Sequence, residues 1–149
     1  MSATIGGEEG MFMEALLATQ VRANMGSFID SVVREKPQAV RRNRDVIVAT
    51  SRDHMKFLLS AYELTFEYEQ DEDGHYAGSI EQIDFIVAAG QDVHELRMEL
   101  ARQLIDYAKD YDADYPRYSN ALNTSKHAPY VLRVLLEDDI ELVAQMLIG

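Results

Sequence analysis

No cysteine occurs in these 149 residues, which excludes disulfide cross-links and metal sites built on thiolates. No apolar run approaches the ~18 residues that a membrane-spanning helix needs. The opening residues, MSATIGGEEG, have neither a basic start nor an apolar stretch, so they do not read as a secretory leader and a cytoplasmic location is expected. The short patterns that announce common chemistry are also missing: there is no HExxH, no GxSxG, no GxGxxG and no phosphate-binding glycine loop. No internal repeat is visible. These absences leave no cofactor motif, no metal-ligand set and no catalytic residue to nominate, so an enzyme is unsupported. Positive charge is scarce as well. The chain has 14 Lys and Arg against 26 Asp and Glu, a formal net charge of -12.

The scarcity is uneven. Residues 61–149 hold 6 basic and 19 acidic side chains, whereas residues 16–60 hold 8 basic and 4 acidic ones. Six of the ten arginines fall between Arg22 and Arg52. A basic segment joined to an acidic one predicts two modules with different partners. Hydrophobic residues make up 47% of the chain, enough for a packed core and for one ordinary domain or two small ones.

Residues 1–14 predict a loose, glycine-containing tail. EALLATQ reads as a short strand, after which Thr19 is placed to cap a helix. Met25, Phe28, Ile29, Val32 and Val33 then recur at helical spacing and predict one amphipathic helix, stopped at Lys36-Pro37. QAVRRNRDVIVATS predicts a hairpin turning at Asn43, because asparagine tolerates the left-handed backbone of a tight turn. Ser51 is a second N-cap, followed by a stripe of Met55, Leu58, Leu59 and Tyr62. Residues 15–63 therefore predict β-α-β-β-α. A unit of about 50 residues is too small to bury a good core alone, so a dimer is expected.

From residue 65 the period changes to two. Phe66 and Tyr68 alternate with Glu67 and Glu69, the turn DEDG follows, then HYAGSI, then Ile83, Phe85 and Val87 in alternation. A helix starts near Asp92 and carries Val93, Leu96, Leu100, Ala101, Leu104, Ile105 and Ala108. Residues 64–110 thus predict a β-β-β-α unit with Gly74 and Gly90 at turns. Residues 111–149 complete the chain: the polar stretch over 110–129 predicts a loop, and YVLRVLL reads as helix or buried strand, with helix preferred. A turn at Glu137-Asp138-Asp139 precedes a last helix through Val143 and Leu147. The fold class is α+β.

The histidines, His54, His75, His94 and His127, form no i, i+4 pair and read as surface or turn residues. DEDG resembles the opening of a calcium loop but lacks the later ligands, so it reads as a hairpin turn. The acidic run over 106–114 reads as a solvated helix end, and Tyr107, Tyr111, Tyr115 and Tyr118 are spaced for packing against a neighbouring element. The basic segment carries more chemistry. Arg41, Arg42 and Arg44 surround one turn, and Arg22 and Arg34 lie on the polar face of the preceding helix. Such a group neutralises phosphates, and an arginine fork also reads guanine edges.

The first half, through "ATQVRANMGSFIDSVV" and "VRRNRDVIVATS", resembles the Phd/YefM family of type II antitoxins, with Asn43 where that family's hairpin has glycine. The second half, through "FEYEQDEDGHYAGSI" and "FIVAAGQDVHELRMELARQLIDYA", is similar to HicB-type antitoxin domains. It departs from them in having Glu81-Gln82-Ile83 where a proline usually stands. The resemblance implies an antitoxin that binds operator DNA as a homodimer or higher oligomer and represses its own promoter. The DNA contacts it implies are Arg22, Arg41, Arg42 and Arg44, with Thr19 and Ser27 helping to hold phosphates. The acidic half would neutralise a toxin, a basic ribonuclease suiting its charge. The expected toxin contacts are Asp106, Asp110 and Asp112, the Asp138-Asp139 turn, and the apolar residues Leu142, Val143 and Met146, although that last helix is equally suited to closing the protein's own core. The alternative is a stand-alone DNA-binding regulator with no toxin.

Overall fold

A computed structural model describes residues 11–149; the expected loose tail therefore lies, for its first ten residues, outside the described residues. The chain separates into two compact units, one reaching to Met55 and the other spanning Lys56–Gly149.

The first unit is built on a three-stranded sheet in the order β1-β2-β3. Strand β1 (Ala15–Leu17) is followed by α1 (Ala18–Ala23) and α2 (Met25–Arg34), then by the hairpin strands β2 (Gln38–Arg42) and β3 (Asp45–Ala49). β1 runs parallel to β2, and β2 pairs antiparallel with β3. Asn43 turns the hairpin at φ 55°, the left-handed region that asparagine enters more easily than most residues. Two expectations are corrected. Thr19 lies inside α1 and does not cap it; Leu17 is the cap residue, and its N–H donates to Gln20 Oε1 at 3.2 Å. The single predicted helix is broken at Asn24 (φ -135°, ψ 49°), which ends α1 and precedes α2. Asparagine favours such junctions because it competes poorly for helix interiors.

This unit buries Ala15, Val21, Val32, Ala39 and Val40. Of the predicted helical stripe, only Val32 is buried; Met25, Ile29 and Val33 remain exposed, as do Ile47 and Val48 on β3.

Helix α3 (Arg52–Leu59) is capped by Ser51, whose Oγ accepts the His54 N–H at 3.1 Å. The division into units falls within this helix, before the boundary expected after residue 63.

The second unit has a four-stranded sheet in the order β6-β5-β4-β7, formed by β4 (Leu64–Gln70), β5 (Tyr76–Ile80), β6 (Ile83–Gly90) and β7 (Leu147–Ile148). Its helices are α4 (Val93–Ala113), α5 (Tyr115–Asn120), α6 (Ala128–Leu135) and α7 (Ile140–Met146), with a 3-10 turn at Ser125–His127. Asp92 Oδ1 accepts the Glu95 N–H at 2.7 Å and starts α4 where the sequence predicts. α4 lies close on β5 and β6 because two glycines leave room for it. A Cβ on Gly90 would stand 2.6 Å from the Leu96 backbone nitrogen, and one on Gly78 would stand 3.2 Å from Leu96 Cδ2. The core joins Leu64 and Phe66 of β4 to Ile80, Ile83 and Ile86, to Leu96, Leu100, Leu104 and Tyr111 of α4, and to Val131, Val134, Val143 and Leu147.

Three expectations differ here. The predicted loop over 110–129 is largely helical, because α4 runs on to Ala113 and α5 follows; Tyr111, fully buried, anchors the extension. The predicted alternation of Ile83, Phe85 and Val87 breaks. Ile83 and Ile86 are buried while Phe85 and Val87 are about half exposed, since a bulge at Ser79/Ile80 carries the register from Val87 to Ile83 and reverses the inward face. Leu147 leaves the last helix and enters β7, parallel to β4.

Candidate functional site

The arginines of the first unit are positioned by the hairpin. Arg41 and Arg42 end β2, opposite Val46 and Asp45, and Arg44 sits with Asn43 in the two-residue turn. The parallel pairing of β1 with β2 finishes at Leu17 opposite Arg41. The chain enters α1 from Leu17, so this helix, with Thr19 in its first turn and Arg22 in its last, starts at the same end of the sheet as the basic turn. Thr19, Arg22, Arg42 and Arg44 are exposed, and Arg41 is half-buried. The Arg41 Nε is enclosed without a hydrogen-bond partner among the described residues. Ser27 is exposed on α2 and lines a groove of about 350 Å³ with Leu16, Gln20, Val21, Asn24, Phe28 and Ser31. Arg34 is engaged differently: its Nη1 donates to Asp30 Oδ1 at 3.0 Å.

The acidic residues expected to meet a protein partner come from two elements, α4 and the turn before α7. Asp106, Asp110 and Asp112 are exposed on the C-terminal half of α4. Asp138 and Asp139 precede α7, and Asp139 Oδ1 caps it by accepting the Glu141 N–H at 3.0 Å. Of the apolar residues, Leu142 is 41% exposed, but Val143 is buried and Met146 packs against the core. Val143 is thus committed to this chain's own interior, because α7 turns that side toward α4. One acidic surface escaped nomination. Glu67 and Glu69 alternate outward from Phe66, and their period-two spacing is the signal in the sequence that marks a shared face.

His127 is the clearest departure from its expected surface position. It is 3% exposed and shares a hydrogen bond of 2.7 Å between its Nδ1 and the Tyr107 hydroxyl. Phe85 lies edge-on to Tyr107, ring centres 5.0 Å apart, and tilted against His127 at 5.8 Å. Burial lowers the His127 pKa from its usual value, Lys126 adds to the effect and Asp84 opposes it. Burial, with Tyr111 and Tyr118 nearby, pushes Tyr107 up to about 12. Both groups are therefore neutral at physiological pH, and the pair is a packed polar contact. Tyr111 and Tyr118 stack at 5.0 Å, and the Tyr111 hydroxyl donates to the Thr124 carbonyl at 3.0 Å, so the tyrosine row packs as its spacing predicts.

The DEDG turn brings Asp71, Asp73 and His75 together, with ligand atoms within 4.8 Å of one another and all three residues exposed. Asp71 Oδ1 already accepts the N–H groups of Asp73 and His75, each at 2.9 Å, which is the turn geometry expected of a hairpin. Among the described residues no helix is long and apolar enough to cross a membrane.

Comparison with known proteins adds three findings. Residues 11–148 match the PHD-like family model, described as an antitoxin of RelE/RelB toxin–antitoxin systems. A search of curated proteins finds no match. A crystal structure from Syntrophomonas wolfei subsp. wolfei, described as the antitoxin part of a candidate toxin–antitoxin system, is 39% identical, with a TM-score of 0.84 over 91% of this chain and 96% of that one.

Proposed function

The chain belongs to the PHD-like antitoxin family, a family of regulators and not of enzymes, and on that premise we propose that it is a dimeric antitoxin and autorepressor with its two duties divided between its two units. An antitoxin implies a cognate toxin. In this reading the first unit is Phd/YefM-like and docks on operator DNA, and the second is HicB-like and holds the toxin. The observation that carries the division is the placing of charge. Arg41, Arg42 and Arg44 occupy one hairpin end beside the start of α1, whereas residues 61–149 carry 19 acidic and 6 basic side chains. Phosphates are attracted to the first surface and repelled by the second. A basic ribonuclease is steered the other way.

Dimerisation follows from the first unit's unpartnered apolar side chains. Met25, Ile29 and Val33 on α2 and Ile47 and Val48 on β3 are all about half exposed or more. A second copy of the same unit covers them and doubles the basic patch, matching a two-fold operator.

The test of the DNA reading is a titration of the full chain against a duplex carrying its own promoter, over a range of salt concentrations. Replacing Arg41 and Arg42 with alanine is expected to weaken binding and to flatten the salt dependence by about one unit of slope for each phosphate no longer neutralised. An unchanged slope would make these arginines ordinary surface charge. Co-expression of the neighbouring reading frame and co-purification of its product with this chain tests the toxin reading.

A further inference from the structure

The outward face of the second unit's sheet is lined in an unusual way. The register sets Glu67 beside Ser79 and Ser79 beside Val87, and sets Glu69 beside Ala77 and Ala77 beside Ala89. Two rows therefore cross three strands with a glutamate on β4, a small residue on β5 and an apolar residue on β6. The opposite face, that of Gly78 and Gly90, is the one α4 covers, so these rows point away from the core. Small side chains in the middle strand leave a floor between two walls, and a hollow of about 580 Å³ opens there, lined by Glu67, Glu69, Ala77, Ser79 and Val87 among others. Glu67 and Glu69 are exposed and have no ion-pair partner among the described residues. Successive same-face positions on a strand stand roughly 7 Å apart, a spacing at which two carboxylates receive two basic side chains.

The strands that build the hollow, with their turns, carry charge of one sign: from Leu64 to Gly90 there are seven Asp and Glu and no Lys or Arg. We propose that this trough is the toxin-docking surface: a cationic segment of the toxin lies across β5, with its Lys or Arg heads on Glu67 and Glu69 and its aliphatic stems on Ala77, Ala89 and Val87. The proposal rests on the antitoxin reading above and gives that reading an address. DNA is a poor occupant because its phosphates meet only carboxylates. The same trough of a second copy is equally poor, because a two-fold contact presents the same acidic patch from both sides. A cationic protein segment satisfies both the charge and the apolar wall. Exposed glutamates set the encounter rate, and the stems packed on the floor set the lifetime.

The experiment uses the full chain and the co-expressed product of the neighbouring reading frame, measured by titration calorimetry. Three variants are compared: Glu67→Lys with Glu69→Lys, Ala77→Trp to fill the floor, and Glu95→Lys with Glu99→Lys as an acidic control on α4, outside the residues that the sequence suggests for the toxin. Circular dichroism and sedimentation of each variant alone establish folding and mass. The expected result is a loss of roughly 100-fold in affinity for the glutamate variant, as juxtaposed like charges produce. Ala77→Trp is expected to lose about 10-fold or more, the size of a moderate interface residue, and the α4 control to change little. If the wild-type chain binds and the trough variants bind equally well, the trough is overturned while the antitoxin reading stands. Loss in the α4 control alone moves the site to that helix and also overturns it. A glutamate variant that changes its own oligomeric mass makes the trough an interface between copies of this chain. If the wild-type chain itself fails to bind the neighbour, the antitoxin reading fails and the trough proposal falls with it.

Discussion

At the scale of single residues, the contact between His127 and Tyr107 shows how burial turns two titratable groups into packing elements. His127 sits under Phe85 and beside Tyr107, with Lys126 and Asp84 as its charged neighbours. Its folded pKa is lowered, so above pH ~6.5 the ring is neutral in both folded and unfolded chains and the full stability is present. As the pH falls from there toward the lower folded value, the unfolded chain takes up a proton that the folded chain refuses. Stability is then lost, by at most about 1.4 kcal/mol per pH unit. A histidine NMR titration is expected to place His127 below the ordinary imidazole value of about 6.5, and the loss of melting temperature between pH 7.5 and 5.5 is expected to shrink in His127→Gln. A ring titrating at or above 6.5 would contradict the burial argument. Tyr107→Phe removes the hydrogen bond and is expected to cost about 1 kcal/mol in urea unfolding. Nothing in the local sequence SKHAP signals this burial. The residues that enclose His127 come from β6 and α4, far along the chain.

At the scale of elements, capping and turn chemistry were readable in place. Ser51 and Asp92 start their helices with side-chain hydrogen bonds, and Asn43 turns its hairpin at positive φ, because each depends on a few neighbouring residues. Face assignment was less readable where the ladder is irregular. A single bulge at Ser79/Ile80 buries Ile86 in place of Phe85. Extension of α4 to Ala113 was hidden by the polarity of DYDADY, although Tyr107 and Tyr111 continue the helical period and Tyr111 is fully buried. The close seat of α4 on β6 yields a sharp test. Gly90→Ala places a methyl 2.6 Å from the backbone nitrogen of Leu96, where no side-chain rotation relieves it. The expected loss is about 1–3 kcal/mol, read from the urea midpoint. An unchanged midpoint would mean that the N-terminus of α4 is not held against that strand.

At the scale of the whole molecule, the two units differ in how they obtain a core. The Lys56–Gly149 unit buries a continuous set from Leu64 to Leu147. The first unit buries few apolar residues and exposes Met25, Ile29, Val33, Ile47 and Val48. Sedimentation at micromolar concentration is expected to show twice the 16.9 kDa chain mass. Ile29→Glu with Val33→Glu is expected to halve that mass and to abolish DNA binding, since a charge buried in an apolar interface without a partner is strongly unfavourable. A clean wild-type monomer would remove the premise of the two-fold DNA complex.

Local chemistry was enough to place the basic hairpin, the division of charge, most strand and helix starts and the α+β class, because periodicity, caps and turn residues act over a few positions. The antitoxin resemblance also rests on such short patterns. Tertiary structure alone decided which of two adjacent side chains faces inward, as at Phe85 and Ile86, and that Val143 is buried in the core. It also decided that His127 is enclosed and that glutamates, alanines and a valine from three strands share one trough. These are outcomes of strand register and helix docking, in which residues distant in sequence meet, and no local window contains the register shift or the approach of one element to another.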